Sequence, residues 1–377
     1  MKRIVKFLLW VIVLFLVICL LALGALYLFA DPNKLKPVIS SEVEKRTGYR
    51  LVFDGDLSWS LYPQVGVKAS HITLTEPSQE KPFIDLKRAH IAIEPMQLLH
   101  GDHKLSGEVH VAEVVFMNVH VTSALVGLHW QDNAIMLRPV RASLYGGSID
   151  GYARGKDFSA TPAWDWDISL KHVDMQPLLH DVHGGTPSLN LLGTGQVKID
   201  ASTQGLTKQQ MLGNLNGKVD FKLLNGTVEG IDLNYLIQSA DALLNKKSVG
   251  LPPELNQTSF DSLTGSMLIN NGLAETNDLL LSSAAFSVKG QGGYNLPAQT
   301  IDFALQVAAP QTIESKWDVP VLVRGEVSRP TVQLDLMAIK KQLAIRELNK
   351  VKEKVKDTIK ENVPGKAGEY LQNLIGQ

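Results

Sequence analysis

The feature that most constrains this 377-residue chain is a hydrophobic period of two that keeps returning along it. Trp164, Trp166, Ile168 and Leu170 alternate with Asp165, Asp167 and Ser169, and Ile301, Phe303, Leu305 and Val307 alternate with Asp302, Ala304 and Gln306. Val219, Phe221 and Leu223, then Val332, Leu334 and Leu336, continue the series. Successive side chains of a strand point to opposite faces, so this pattern predicts strands with one apolar face. From Val109 to Val121 the alternation places Val109, Val111, Val115, Met117, Val119 and Val121 on one face, with Glu113 the exception. The other face there is mixed, carrying His110, Asn118, His120 and Thr122. The expected fold is mostly β: an elongated, twisted antiparallel sheet, groove-like, with a few short amphipathic helices and a C-terminal helix.

Turn chemistry divides the pattern. Asp54-Gly55-Asp56 and Tyr62-Pro63 read as turns between the first strands, Phe83–Ile93 as a further strand closed by Glu94-Pro95, and Asn225-Gly226 as a hairpin turn. A weak duplication links GLHWQDNAIMLRPVRASLYGGSIDGYARG, from Gly127, with GSMLINNGLAETNDLLLSSAAFSVKGQGGY, from Gly265. Each reads as strand, Asn-containing turn, strand and Gly-rich strand, so similar hairpins laid side by side would build a long sheet. Short helical periods begin at Met175, Thr207 and Leu233.

The N-terminal segment Phe7–Ala30, FLLWVIVLFLVICLLALGALYLFA, carries no charge. As a helix at ~1.5 Å per residue it would reach ~36 Å, enough for a hydrocarbon core of ~30 Å. A cleaved signal peptide is the competing reading, because Lys2, Arg3 and Lys6 precede the run. The apolar stretch is longer than a signal h-region of ~7–15 residues and lacks a cleavage site at its end. It therefore reads as a signal anchor, with Phe7, Trp10, Phe15, Leu20, Tyr27 and Phe29 among its membrane-embedded residues. Ile18 before Cys19 and the apolar run after it argue against a lipoprotein site. The short basic tail 1–6 favours a cytoplasmic N-terminus, with the bulk exported. Asp31-Pro32 then opens a short helix in which Leu35, Val38, Ile39 and Val43 recur at helical spacing.

Net charge of -1 gives no basic stripe for nucleic acid. The single cysteine lies in the apolar segment, which leaves the exported part without thiol chemistry. His100 and His103, then His180 and His183, are paired in loop-like sequence without further ligands at organised spacing. GTGQVK and GQGGYN lack the helix that a phosphate-cradling loop requires. No catalytic, cofactor-binding or metal site is expected.

The last residues differ sharply. Met337, Ile339, Leu343, Leu348, Val351, Val355 and Ile359 read as an apolar stripe flanked by lysines, a basic amphipathic helix that either packs on the sheet or meets an anionic membrane or partner.

Four segments together resemble the AsmA family of bacterial envelope proteins. They are Pro32–Val67 with the pattern PxxLKPxIxxxVEKxTGYxLxFDGDLSWSLYPxxGV, LYGGSIDG at 144–151, LLNGTVEGIDL at 223–233, and VPVLVRGEVSRPTVQLDL at 319–336. The resemblance implies an inner-membrane protein facing the periplasm, with a chorein-like N-terminal region and a role in outer-membrane biogenesis through lipid handling. It divides the chain into a cytoplasmic tail (1–6), anchor (7–30), chorein-like region (31–125), C-terminal β-repeat region (126–336) and basic helix (337–377).

The expected function is thus non-enzymatic: phospholipid bound and carried along an apolar β-groove. Candidate lipid-facing residues are Val115, Met117, Val119, Trp164, Trp166, Ile168, Ile301, Phe303, Leu305 and Val307. Expected partners are the phospholipid bilayer, a phospholipid ligand and an envelope protein, with no nucleic acid and no cofactor. The alternative is a scaffold for outer-membrane protein assembly without a lipid conduit.

Overall fold

The computed structural model describes residues 31–362 apart from 48, 61–65, 77–78, 94–103, 117, 132, 158–159, 186–187, 245–246, 249, 252–255 and 309–317. The predicted anchor and Met117 lie outside the described residues. Among the described residues no helix is long and apolar enough to cross a membrane.

The period of two is expressed as one antiparallel, unclosed sheet of 16 strands in strict sequence order. The strands are β1 (Arg50–Ser60), β2 (Gly66–Thr75), β3 (Ile84–Ile93), β4 (Lys104–Phe116), β5 (Val119–Gln131), β6 (Ala134–Leu144), β7 (Gly147–Lys156) and β8 (Ala163–Asp174). They continue as β9 (Asn190–Gln204), β10 (Asn216–Glu229), β11 (Gln257–Asn270), β12 (Leu273–Ser282), β13 (Ser287–Asn295), β14 (Thr300–Ala308), β15 (Asp318–Glu326) and β16 (Thr331–Leu334). The helices are α1 (Lys36–Thr47), α2 (Met175–His183), α3 (Lys208–Gly213), α4 (Leu233–Leu244) and α5 (Leu336–Asn362). Two compact units are present. Among the described residues the first comprises those of 31–187, 191–223 and 268–272, the second those of 188–190, 224–267 and 273–362.

In the first unit the free edge of β1 is blunted by the segment before it. Asp31 accepts a hydrogen bond from the Asn33 amide at 2.9 Å, starting the 3-10 turn Pro32–Leu35. The Asn33 side chain then imitates a neighbouring strand, donating to the Leu57 carbonyl at 3.2 Å and accepting from the Leu57 amide at 2.8 Å. An exposed edge would otherwise offer these groups to another chain. Beyond this tether, Leu35, Val38 and Ile39 remain exposed on their helical segment.

Asp54-Gly55-Asp56 is not a turn. β1 runs through it, and Gly55 and Asp56 together oppose Ser70 in a bulge with Gly55 at φ +84°. The bulge begins a crease across five strands. The buried cluster takes Ala69 and Ile72 from β2, and Ala89 from β3 with the partly buried Leu86 packed against it, spacings of three rather than two. In β4 Val111 belongs to it and the partly buried Val114 packs against it, so the inward parity switches within each strand. Arg88 and Ser123 sit on the crease at positive φ. On the reverse face Lys87 and its neighbour Arg88 both reach Glu113, as consecutive residues can only where alternation breaks.

The strand boundaries correct two expectations. Val109–Val121 is no single alternating strand, because Asn118 at φ +74° turns the chain between β4 and β5. Val115 also lies opposite to Val119: it pairs with Asp85 and His120, whereas Val119 pairs with Phe116. Likewise Asn225-Gly226 lies inside β10 with Asn225 at φ +49°, an irregularity within a strand and not a hairpin turn. The two similar segments from Gly127 and Gly265 both fold as strand-turn-strand-turn-strand, through β5–β7 and β11–β13.

In the second unit Val288, Val307, Val319, Val321 and Val323 are buried on neighbouring strands. Their registers place Val288 beside Val307 and Val307 beside Val319. Both α4 and α5 meet β15. Leu233, Ile237 and Ala240 of α4 and Ile339 of α5 are buried as well. Asp335 starts α5 by accepting from the Met337 and Ala338 amides at 3.0 Å, and its own amide donates to the Pro320 carbonyl of β15.

Candidate functional site: an open apolar trough in the first unit

Directly paired residues of antiparallel strands share a face, so register traces what a face is made of. One row crosses nine strands of the first unit as Trp59, Val67, Ile91, Val109, Val126, Val140, Gly151, Ile168 and Ile199. The adjacent row on the same face runs Gly107, Leu128, Leu137, Ala153, Trp166 and Ala201. On the other side of the first row, Ile149, Leu170 and Val197 pair in turn. The face is apolar in both directions.

One residue along every strand, the composition inverts. Ser58, Lys68, His90, His110, Leu125, Arg141, Asp150, Ser169 and Lys198 form the matching row of the reverse face. Arg141 meets Asp150 at 3.1 Å, and His71 bridges Asp54 at 3.4 Å and Asp85 at 3.0 Å. The Arg88 guanidinium beside Glu113 holds that carboxyl below the usual carboxylate range. Burial, with Lys68 and His110 adding to it, pushes the His90 imidazole down. His90 apart, the polar members of this row, Ser58, Lys68, His110, Arg141, Asp150 and Lys198, are exposed, so water belongs on this side.

The apolar side is not sealed. Val67 and Val109 pack against the buried crease cluster, whereas Ile91, Val126, Val140, Ile168 and Ile199 are half-buried outside it, and Trp130, in a parallel row, is 36 % exposed. Neighbours within one sheet layer account for half-burial; a second layer would take these side chains out of solvent. Eight spacings of ~4.8 Å give the face a breadth of roughly 38 Å, and three rows two residues apart cover roughly 14 Å along the strands. Apolar patches of this order, several hundred Å², mark interaction sites.

The floor of the trough is shaped by small residues. The inward side of β7 offers Ile149, Gly151, Ala153 and Gly155, and the larger Trp164, Trp166 and Ile168 rise beside them from β8. A Cβ on Gly151 would fall 2.2 Å from the Asp167 carbonyl oxygen, so this close strand approach admits only glycine.

A polar cluster fastens α2 to the same unit. Asp181 accepts from the Tyr145 hydroxyl, meets His120 Nδ1 at 2.9 Å and His180 Nδ1 at 3.2 Å. Burial alone would raise the Asp181 carboxyl, but these three partners outweigh it and hold it below its ordinary value. Burial and the same carboxylate push the Tyr145 hydroxyl up to about 12. His180 and His183 thus belong to a helix rather than a loop, and His183 Nδ1 lies 2.7 Å from the Leu179 carbonyl. Among the described residues no group of three or more His, Cys, Asp or Glu could hold a metal ion.

The candidate residues separate accordingly. Trp164, Trp166 and Ile168 lie in the trough, half-buried; Val119 lies on the same face beyond the crease, and Val115 on the reverse face. In the second unit Ile301, Phe303 and Leu305 are half-buried, but Val307 is wholly buried and packs as core, with no surface left for a ligand. Val67, Ile91, Val126, Val140 and Ile199 were missed, although each lies in an apolar strand segment. What sequence could not supply was the register that aligns them.

The model of the AsmA family matches residues 1–107 and 104–279. The chain belongs to the AsmA family. Protein AsmA of Escherichia coli (strain K12), of this family's name, is 23 % identical over 238 residues, which cover 62 % of this chain. The chain spans about a third of that relative, 35 % of its length. No solved structure matches.

Proposed function

We propose that this AsmA-family chain is a non-enzymatic envelope protein that holds phospholipid acyl chains against the open trough of its first unit. The carrying observation is the nine-strand apolar row, half-buried throughout, backed by a polar row on the reverse face. An acyl chain in water costs about 0.8 kcal/mol for each exposed CH₂, and a continuous apolar surface recovers that without any reacting group. One leaflet's acyl layer is about 15 Å thick, half of the ~30 Å hydrocarbon core. A face roughly 38 Å across exceeds that more than twofold, so a chain could pass from strand to strand while staying shielded.

Family membership supports a role in outer-membrane biogenesis. The charge-free segment Phe7–Ala30 supports a single-pass inner-membrane anchor with the bulk in the periplasm. Photocrosslinking with labelled phospholipid in the full chain tests the reading. Probes at Val126 and Ile168 are expected to give lipid adducts, and probes at Arg141 and Lys198 on the reverse face none. Absence of adducts at every trough position would overturn it, and protein adducts in their place would favour a scaffold for outer-membrane protein assembly.

A further inference from the structure

The sequence of α5 reads as one apolar stripe, but its side chains divide between two sides of the helix. Ile339 is wholly buried and Leu343 half-buried where the helix begins beside β15. At ~100° per residue, Leu348 lies roughly opposite to both. It shares its side with Met337, Ile345, Val351 and Val355, which are 77 %, 49 %, 56 % and 41 % exposed, while Leu348 itself is 58 % exposed. This outer stripe is therefore not a continuation of the docking face.

Charge divides along the same line. Between Leu336 and Asn362 there are eight lysines and arginines against four acids. Glu347, Glu353 and Asp357 project from the docking side or its flanks on the helical wheel, whereas Lys341 and Lys352 lie within the outer stripe and Lys356, 3.8 Å from Glu353, at its border. The outer stripe, which also takes in the half-buried Ile359, is thus apolar and cationic and carries no acid of its own.

We propose that the outer stripe of α5 is a docking surface for an anionic phospholipid bilayer. An apolar stripe with lysines set into it lies in the headgroup boundary, the stems burying beside the stripe while the ammonium groups reach the phosphates. A second copy of the helix is a poorer occupant: it would set Lys341 and Lys352 against lysines of their own kind with no acid inside the stripe to relieve them. The inference stands independently of the trough.

The test uses the full chain held in neutral phosphatidylcholine nanodiscs, with Cys19→Ala and an environment-sensitive fluorophore on Leu348→Cys. Added vesicles containing phosphatidylglycerol should shift the emission to the blue, and pure phosphatidylcholine vesicles should not. The shift should vanish in 1 M salt, where the Debye length falls to about 3 Å. Lys341→Glu and Lys352→Glu should each weaken partitioning by at least roughly fivefold, the ratio that about 1 kcal/mol per basic residue represents. Val351→Asp with Val355→Asp should abolish the shift while circular dichroism stays unchanged. No response to anionic vesicles would overturn the proposal, as would a shift that follows protein concentration without them, which would assign the stripe to self-association.

Discussion

The two units carry the same kind of apolar sheet face and treat it differently. In the first, Val126, Val140 and Ile168 stand half-open. In the second, Val307, Val319 and Val321 are 0 %, 1 % and 1 % exposed, and the strand that carries the last two is met by α4 and α5. Alternation decides only that a strand has an apolar side. Whether that side becomes core or surface depends on a helix with its own apolar stripe, such as Leu233, Ile237 and Ala240, arriving to cover it.

The largest effect that tests this contrast is a buried charge. Val321→Asp should destabilise the second unit by about 4 kcal/mol, since the carboxylate would have neither water nor a partner. Ile168→Asp in the trough should cost only about 1 kcal/mol, because its carboxylate can reach solvent, yet it should suppress lipid adducts nearby. Urea unfolding of the two variants gives the comparison directly. Equal losses would mean that the first unit's face is as covered as the second's.

A smaller effect is expected at the edge of the first unit. Asn33→Ala removes two hydrogen bonds to Leu57, and at about 1 kcal/mol each should cost about 2 kcal/mol and promote association through β1. Hydrogen exchange at the Leu57 amide would read it.

The attachment of α2 sharpens the contrast further, because it relies on the polar Asp181 cluster. Asp181 has a depressed folded pKa, so its contribution is full above the unfolded value of about 4 and is lost as pH falls through the folded one. Tyr145 has a raised folded pKa, so its contribution is full below about 10 and is lost as pH rises toward about 12. Asp181→Asn should cost about 1 kcal/mol at neutral pH and flatten the acid limb of the stability curve, measured by thermal melts across pH. Smallest of all, Arg324→Ala breaks a 2.7 Å pair with Asp302 in which both side chains are at least half exposed, and should change stability by under about 0.5 kcal/mol.

Much of the fold was legible because the strands announce themselves by period: β3, β8 and β14 fall close to where alternation places them. The failures share one physical origin. Asp54-Gly55-Asp56 and Asn225-Gly226 have turn-forming composition, but a residue at positive φ serves a bulge as well as a hairpin. Sequence shows that φ is permitted, not whether the partner strand continues past it. Val115 was set beside Val119 because the period was counted straight through the turn at Asn118. The trough was legible only in part, since Trp166 stands out in one strand while Val67 and Ile199 gain meaning from pairing alone. In α5 a single stripe was read where the helix has two sides, because Ile339 and Leu348 are equally apolar and only packing distinguishes them.

The strict order of the strands has a consequence of its own. Each strand meets only the one before and the one after, so every pairing joins neighbours in the sequence and none waits for distant sequence. It also makes length an adjustable property. Inserting one more hairpin at Asn271-Gly272 would replace the β11–β12 pairing and the turn's own bonds to Leu215 and Asn216, and leave the remaining strand order as it is. A sheet of this kind can be lengthened or shortened two strands at a time, with its alternation of wet and oily faces kept in phase.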